Sequence, residues 1–318
     1  MPPVERQSPR KARVGICIAT FRRRELLRQL LVGISKLTFE RMPTPDILII
    51  VVDNDEARSA ADICDTVALP WPAKYVVEPR RGIAQARNRA ILEAENPDFI
   101  VFIDDDEVPT PQWLDELLWT QACFKGDVVC GPVLPRFASG TPEWVKAGRF
   151  FSKHLYITGD TIETCCTGNV LIPRRVMREV RAFDERFALT GAEDTHFFLR
   201  VRQQGFKIIC SGGGVVYESV PTSRASLKWL LRRAYQSGNS WVLCETSLDG
   251  RISTRLIRMA KASGRILQGT ASACLSPLLG KAALAEALST LFLGAGMIAA
   301  LAGKNFQAYQ SAGTDSPK

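Results

Sequence analysis

Three short and continuous apolar runs constrain the fold of this chain more strongly than any other feature. They cover residues 14–19, 47–52 and 99–103, and segments with apolar residues at helical spacing, such as residues 25–37, separate them. Continuous apolar strands that alternate with helices are typical of a parallel sheet with helices on both faces. The sequence therefore predicts an α/β fold with a mostly parallel central sheet flanked by helices.

The same periodicities predict the other elements. Further strands are expected at residues 75–77, 128–129 and 165–172. The last helix of the body is expected to end near Gly238. Further helices are expected at residues 57–64, 83–93, 112–124, 195–204 and 226–237.

Each of the three apolar runs is followed by a polar side chain. These side chains belong to Thr20, Asp53 and Asp104. Parallel strands bring their carboxyl ends to one edge of the sheet, and open α/β sheets bind their ligands beyond that edge. We therefore expect the functional site at this edge.

The positive charge of the chain is concentrated at its two ends. The 41 lysines and arginines outnumber the 33 acidic residues, for a net charge of +8. Residues 1–13 carry +3 and residues 251–318 carry +6, which leaves residues 14–250 at −1. A nucleic-acid groove would place its charge on the folded body. The distribution instead predicts a nearly neutral catalytic body without a nucleic-acid partner, and basic ends that suit an anionic surface.

Cysteine usage and the N-terminus predict a cytoplasmic protein. The nine cysteines are odd in number and form no C-x-x-C pair, so no zinc site is expected. The two histidines, His154 and His196, are too few for a histidine-rich metal site. Residues 1–13 are basic, but no apolar segment of signal-peptide length follows them. We expect reduced thiols that mostly fill the core.

The sharpest local signal is the acidic run Asp104-Asp105-Asp106-Glu107 directly after an apolar strand. Clustered carboxylates repel one another, and their pKa values rise unless a counter-ion is present. A divalent cation relieves this repulsion, and oxygen ligands suit Mg²⁺ or Mn²⁺. The run therefore predicts a metal site, with a solvated acidic turn ahead of the next helix as the alternative.

Three weaker signals also point to chemistry. Glu193 and Asp194 precede a helix, where a carboxylate acts either as an N-cap or as a general base. Gly82 precedes a helix that carries Arg87 near its start, an arrangement that binds phosphate unless the arginine is merely solvated. Residues 53–55 form either a site for a base or ribose, or a turn.

Taken in chain order, these motifs resemble the family 2 inverting glycosyltransferases of the GT-A fold. The similarity is greatest to enzymes of bacterial exopolysaccharide and surface-polysaccharide synthesis, such as succinoglycan-type glucosyltransferases. It covers about residues 14–240 and depends on the order of the motifs. The motifs are Ala19-Thr20-Phe21-Arg22-Arg23, Val51-Val52-Asp53-Asn54-Asp55, Gly82-Ile83-Ala84-Gln85-Ala86-Arg87-Asn88, Phe102 to Pro109, Thr167-Gly168-Asn169 and Gly191-Ala192-Glu193-Asp194-Thr195.

The resemblance implies the GT-A fold and a donor that is a nucleotide-diphosphate sugar, with uridine as the default base. Asp104 and Asp106 would match the DXD carboxylates that hold Mn²⁺ or Mg²⁺ with the diphosphate. Asp53 would lie near the base. The other residues implied in donor binding are Thr20 and Arg22 at the nucleoside side, Asp105 at the ribose, Arg87 at the diphosphate, and Gly168 and Asn169 near the transferred sugar.

The resemblance also implies a single displacement that inverts the anomeric carbon. Asp194 would deprotonate the acceptor hydroxyl, with Glu193 as the alternate base. The acceptor would be a saccharide or a lipid-linked saccharide. His196 departs from the family pattern, which commonly has an acidic residue there, and Glu218 is a further candidate for the same site, with a surface salt bridge as the alternative.

The C-terminal segment predicts a membrane contact. Residues 282–303 are apolar and about long enough for a bilayer span, but Glu286 interrupts them. Residues 251–267 form a basic amphipathic helix, which favours a docked or in-plane helix over a spanning one. A helical cap on the sheet or a dimer interface are the alternatives. The prediction is a basic tail (1–13), a catalytic domain (14–248) and a helical extension (249–318), peripheral on the inner face of the plasma membrane.

Two other functions remain open at this point. A nucleotidyltransferase of similar topology would make a nucleotide sugar, but the glycine-rich, lysine-bearing loop usual there is absent after residues 14–19. A non-catalytic membrane scaffold would bind a nucleotide sugar without transferring it. The Glu193-Asp194 pair favours the enzyme.

Overall fold

The computed structural model describes residues 11–151 and 157–307. His154 and most of the basic tail (1–13) lie outside these ranges. The strands in chain order are β1 Arg13–Thr20, β2 Asp46–Asp53, β3 Ala73–Val77, β4 Phe99–Ile103, β5 Glu107–Pro109, β6 Val128–Cys130, β7 Val133–Phe137, β8 Thr161–Ile162, β9 Asn169–Pro173, β10 Ile208–Cys210 and β11 Val216–Val220. The α-helices are α1 Arg24–Ile34, α2 Ile63–Thr66, α3 Ile83–Glu93, α4 Trp113–Phe124, α5 Glu143–Ala147, α6 Arg174–Val180, α7 Glu193–Gln203, α8 Leu227–Leu248, α9 Ile252–Leu275 and α10 Lys281–Leu301.

The main sheet has the strand order β3-β2-β1-β4-β9-β6-β10-β8. Strands β1 to β4 run parallel, as do β6 and β10, whereas β9 runs antiparallel to β4 and β6. Apolar side chains of the strands pack beneath α1 and α4 on one face and beneath α3 and α7 on the other. A mostly parallel α/β sheet with helices on both faces is therefore confirmed.

A smaller sheet, β5-β11-β7, stands at the edge of the main sheet where the acidic run emerges. In this sheet Glu107 of β5 is the register partner of Glu218 of β11. Two strands far apart in sequence thus bring a second carboxylate towards the acidic run. This pairing positions the site described below.

The prediction of a helix at residues 57–64 is wrong, because the helix in this segment covers only Ile63–Thr66. The side chain at the end of β2 accepts backbone N–H groups of this segment. The Asp53 carboxylate accepts N–H bonds from Asp55 at 3.1 Å and from Ala60 at 2.9 Å. Local side-chain bonds of this kind compete with helix formation.

Two further bounds differ from the prediction. The strand predicted at residues 165–172 begins only at Asn169. The helix predicted to end near Gly238 continues to Leu248. Gly238 therefore lies inside α8, where it lets this helix approach α10. A Cβ at this position would lie 2.0 Å from the carbonyl oxygen of Leu293.

Helices α8, α9 and α10 pack together, with small residues at their contacts. A Cβ at Gly296 would lie 2.0 Å from the Tyr235 carbonyl oxygen, and one at Gly294 would lie 2.8 Å from that of Ala262. Of the helices described, Lys281–Leu301 is long and apolar enough to cross a membrane by length and composition. Its Glu286 carboxylate accepts the backbone N–H of Arg149 at 2.9 Å, which ties this helix to the body of the protein.

Replacing Gly238 by alanine is expected to lower the free energy of unfolding by about 1–3 kcal/mol, because the added methyl group forces α8 and α10 apart. Gly264→Ala is the matched control on α9, where no atom lies within 4 Å of the added Cβ. The control should leave the free energy of unfolding unchanged or raise it by up to about 1 kcal/mol. Urea denaturation compares the two variants, and equal destabilisation by both would contradict the close helix contact.

Candidate active site at the edge of the sheet

The acidic run after β4 is mostly buried. Asp105, Asp106 and Glu107 are buried, and Glu107 accepts the backbone N–H of Asp104 at 3.1 Å. Only Asp104 is substantially accessible, with 42% of its side chain exposed. Buried carboxylates do not fit a solvated turn, so that alternative is wrong for three of the four residues.

Three arginines from separate elements bind the acidic run. Arg23, before α1, donates to Asp105 at 2.9 Å and to Asp106 at 3.2 Å. Arg224, just before α8, contacts Asp106 at 3.2 Å. Arg87 of α3 donates to Asp104 at 3.0 Å. The buried negative charge is thus partly neutralised from three directions.

The pKa values show how crowded this negative charge is. Burial raises the pKa of Asp105 to about 6, although Arg23 acts in the opposite direction. Burial and the neighbouring Asp104 raise the pKa of Glu107 well above its usual value. Burial and then Asp106 raise the pKa of Glu218. A cation at this edge would relieve the repulsion among these carboxylates.

The donor set suits a divalent cation that arrives with a phosphate ligand. Within residues 11–151 and 157–307, no three His, Cys, Asp or Glu side chains are arranged so that they could enclose a metal ion. Asp104 and Asp106 nevertheless offer carboxylate oxygens, because Asp104 is 42% exposed and the contacts of Arg23 and Arg224 with Asp106 are both made to its Oδ2. Mg²⁺ is commonly held by one or two carboxylates and completed by substrate phosphates. The residues present therefore fit a metal that substrate oxygens complete.

Glu193 and Asp194 form the first turn of α7, on the other side of Arg87. The Arg87 side chain is buried and forms salt bridges with both Glu193 and Asp104. Glu193 is buried, whereas Asp194 is partly accessible and accepts the backbone N–H of Thr195 at 2.5 Å. The N-cap position itself is held by Ala192. One guanidinium thus joins the acidic run to the paired carboxylates.

The residues at the ends of β1 and β2 are held by the protein's own hydrogen bonds. Thr20 donates its hydroxyl to Asp105 at 2.8 Å, and Arg22 pairs with Asp55 at 2.9 Å. The Asp53 carboxylate is buried and accepts the Tyr75 hydroxyl at 2.8 Å. Thr20, Arg22 and Asp53, which the sequence analysis predicts to bind the nucleotide sugar, thus lie at the same edge of the sheet as the acidic run.

Asn54 has a bracing role that the sequence did not reveal. Its amide donates to the carbonyl oxygens of Glu78 and Arg80, both at 2.8 Å, and accepts the backbone N–H of Gly82 at 2.9 Å. Gly82 has a backbone φ of 142°, a value that residues with a side chain rarely adopt. Asn54 therefore fixes the loop that leads into α3 and so positions Arg87.

The segment before β9 also approaches the acidic run. A Cβ at Gly168 would lie 2.4 Å from Glu107 Oε1, so a side chain cannot be accommodated there without a shift. The Asn169 side chain is buried: it accepts the Trp113 Nε1–H at 2.7 Å and donates to the carbonyls of Pro132 and Gly214 at 3.1 and 2.7 Å. Its amide braces the strand end.

His196 and Glu218 have different surroundings. His196 is buried and stacks on Phe187 with ring centroids 4.5 Å apart. Burial lowers its pKa to about 4, so it is neutral at physiological pH. Glu218 accepts from Arg224 at 2.9 Å and shares that arginine with Asp106. Glu218 thus belongs to the acidic site, whereas His196 belongs to the packing behind α7.

The sequence matches the family described as "Glycosyl transferase family 2" over residues 15–181, and the related "Glycosyl transferase family group 2" over residues 99–302. A relative, the "Succinoglycan biosynthesis protein ExoM" of Rhizobium meliloti, is 33% identical over 233 residues, which cover 71% of this chain and 72% of that protein. The chain belongs to glycosyltransferase family 2. The protein is therefore a glycosyltransferase.

Two other similarities agree with this family. The "Glucosyl-dolichyl phosphate glucuronosyltransferase" of Haloferax volcanii is 25% identical over 252 residues, which cover 72% of this chain and 76% of that protein. The mannosyltransferase PcManGT of Pyrobaculum calidifontis, solved in complex with GDP-Man and Mn²⁺, has a TM-score of 0.63 at 19% identity. That similarity covers 93% of this chain and 89% of that structure and shows the GT-A fold.

Proposed function

We propose that this glycosyltransferase moves a sugar from a nucleotide-diphosphate donor, by default a UDP-sugar, to a saccharide in the synthesis of a bacterial surface polysaccharide or exopolysaccharide. The acceptor is a saccharide carried on a lipid phosphate. One observation carries the proposal: Arg87 joins Asp104 of the acidic run to Glu193, the neighbour of Asp194. The names of the Rhizobium and Haloferax relatives support the pathway and the acceptor class.

The acidic run forms the donor half of the proposed site. Asp104 and Asp106 would hold Mn²⁺ or Mg²⁺, which when bound would supply positive charge that offsets the charge of the departing diphosphate. Arg87 binds the diphosphate side with a buried guanidinium. The nucleoside side is bound by Thr20, Arg22, Asp53 and Asp105.

The start of α7 forms the acceptor half. Asp194 accepts the proton of the acceptor hydroxyl as the oxygen attacks the anomeric carbon from the face opposite the leaving diphosphate. A single displacement of this kind inverts the configuration at that carbon. Glu193 is more buried than Asp194 and is held by Arg87, so it positions the pair instead of accepting the proton.

Thermal unfolding in the presence of a panel of nucleotide sugars, with and without Mn²⁺, tests the proposal. The true donor should raise the melting temperature. At a concentration one hundred times its Kd, it should stabilise the folded protein by about 2.7 kcal/mol. Nucleoside diphosphate should then be released from that donor. Release of pyrophosphate during nucleotide-sugar formation would instead indicate a nucleotidyltransferase, and binding without release would indicate a scaffold.

The pH dependence of kcat follows from the surroundings of Asp194. Burial raises its pKa above the usual value, and Arg87 acts in the opposite direction, with the carboxylate of Asp104 nearby. The proton acceptor must be ionised, so kcat should be highest above this raised pKa and fall as the pH drops through it. An acid limb at or below the ordinary aspartate pKa of about 3.9 would contradict the assignment.

The exposed face of α9 supports attachment to the inner face of the plasma membrane. Ile252, Leu256 and Leu267 are 73%, 63% and 71% exposed. At 100° per residue they lie within about 60° of one another around the helix. Exposed Lys261 and Arg265 belong to the same helix. An amphipathic helix with this composition suits anionic lipid.

Sedimentation with lipid vesicles tests this attachment. The full chain should sediment with phosphatidylglycerol vesicles and much less with phosphatidylcholine vesicles. Leu256→Gln/Leu267→Gln should weaken the association by about tenfold, because two exposed leucines no longer enter the apolar layer. Equal binding to both kinds of vesicle, or no loss in the variant, would contradict this role of α9.

A further inference from the structure

An open apolar groove of about 530 Å³ lies between α8 and α10, outside the acidic site. Its floor and walls are almost entirely apolar. The groove is lined on α8 by Leu227, Lys228, Leu231, Arg232 and Tyr235, and on α10 by Phe292. A surface groove of this kind suits a hydrocarbon chain, because an extended apolar group would replace water along its length.

Two cations stand at the groove and are not neutralised within it. Lys228 and Arg232 are exposed and are four residues apart, so they are neighbours on the surface of α8. Among the described residues, no carboxylate lies within salt-bridge distance of either. Arg232 instead lies 5.4 Å from the centroid of the Phe306 ring. Neighbouring like charges are unfavourable, and an anion bound between them would relieve the repulsion.

The groove begins next to the acidic site. Arg224, which binds Asp106 and Glu218, lies four residues before Lys228. The groove residues of α8 run from Leu227 to Tyr235, about 12 Å along the helix axis. A molecule seated in the groove would therefore extend away from the acidic site, with its end at Lys228 nearest to that site.

We propose that the groove between α8 and α10 binds the lipid phosphate of the acceptor: Lys228 and Arg232 bind the phosphate, and the apolar lining holds the first units of the hydrocarbon chain. This inference rests on the proposed function and locates its acceptor. Charge complementarity selects an anion, and the apolar lining selects a chain attached to it. The transferred sugar joins the saccharide end of this acceptor, which lies beyond the phosphate.

Isothermal titration of the full chain with geranyl phosphate, kept below its micelle concentration, tests the groove. Two compounds serve as comparisons: geraniol lacks the charged phosphate, and inorganic phosphate lacks the hydrocarbon chain. Each should bind at least about tenfold more weakly than geranyl phosphate. Lys228→Gln/Arg232→Gln should weaken geranyl phosphate binding by about tenfold or more. Arg178→Gln/Arg181→Gln is the matched control, because it also removes two exposed positive charges, at the end of α6, and should change the affinity less than about twofold.

Other outcomes would overturn the inference. Equal loss in the two double variants would mean that net charge, and not the groove, attracts the probe. Equal affinity for monomeric dihexanoyl phosphatidylglycerol would assign the groove to bilayer headgroups instead of the acceptor. If nucleotide sugars stabilise the protein but geranyl phosphate does not bind to it, the inference about the groove would be wrong and the proposed function would still stand.

Discussion

Replacing Asp194 by asparagine is expected to lower kcat for glycosyl transfer by about 10²–10⁴-fold, the usual contribution of a general base. Asparagine has nearly the same shape, and its side-chain oxygen can still accept the Thr195 N–H that Asp194 accepts at 2.5 Å. It cannot take the proton of the acceptor hydroxyl. Affinity for the donor should therefore stay nearly unchanged, as titration of the donor against the variant would measure.

The Glu193→Gln variant distinguishes the roles of the two neighbouring carboxylates, Glu193 and Asp194. Glu193 is held by Arg87 and buried, so its loss should disturb the geometry of Asp194 and of the donor side together. We expect a loss of both donor affinity and kcat. If Glu193→Gln removed turnover alone while Asp194→Asn kept the full rate, Glu193 would be the base and the assignment of Asp194 would be wrong.

Replacing Arg87 by methionine is expected to have the largest effect on stability. The Glu193 carboxylate would lose its cation inside the protein, and Asp104 would lose a hydrogen bond of 3.0 Å. Removal of one partner of a buried ion pair costs about 3–5 kcal/mol. Transfer should fall as well, because the same guanidinium serves the diphosphate in the proposed site. Urea denaturation and a transfer assay measure the two effects.

Arg89→Met provides the matched control two residues later on the same helix. Arg89 is 38% exposed and pairs with Glu93 at 2.6 Å across one turn of α3. Exposed pairs of this kind contribute about 0–1 kcal/mol. Similar destabilisation by both variants would show that any arginine on α3 is equally important, which would contradict the role given to Arg87.

The Arg87→Met effect should also depend on pH. Burial already raises the pKa of Glu193, while Arg87 lowers it, so loss of Arg87 raises that pKa further. Below the raised pKa the carboxyl is neutral and no longer needs a cation. The stability difference between wild type and Arg87→Met should therefore be large at pH 8 and shrink at pH 5. A difference that grew at low pH would contradict the ion pair.

The fold and the location of the candidate site follow from local sequence patterns. Continuous apolar runs predict the parallel strands, and the polar residues that end β1, β2 and β4 mark the edge where the site forms. The acidic run was recognisable because four carboxylates follow a buried strand. These features depend only on neighbouring residues, which is why one sequence suffices to predict them.

Contacts between distant segments could not be predicted in this way. Arg224 reaches Asp106 from a turn ahead of α8, more than a hundred positions later in the chain. Nothing in the sequence near Arg224 distinguishes it from the other arginines of the chain. Arg23 lies within a recognised motif, but only the folded chain shows that it binds Asp105 and Asp106.

Residues with two plausible roles also required the structure. Asn54 has the composition of a turn or of a nucleoside site, and its three hydrogen bonds show that it braces the loop before α3. Gly238 resembles a helix end, and its contact with Leu293 shows a helix crossing. In each case the partner that decides the role is remote in sequence.

The anomeric configuration of the product tests the proposed reaction most directly. Nuclear magnetic resonance of the glycoside made from a nucleotide sugar of known configuration reports the coupling at the anomeric proton. A single displacement with Asp194 as the proton acceptor predicts a product inverted relative to the donor, formed by the wild type and formed about 10²–10⁴-fold more slowly by Asp194→Asn. A product that retains the donor configuration would contradict that mechanism.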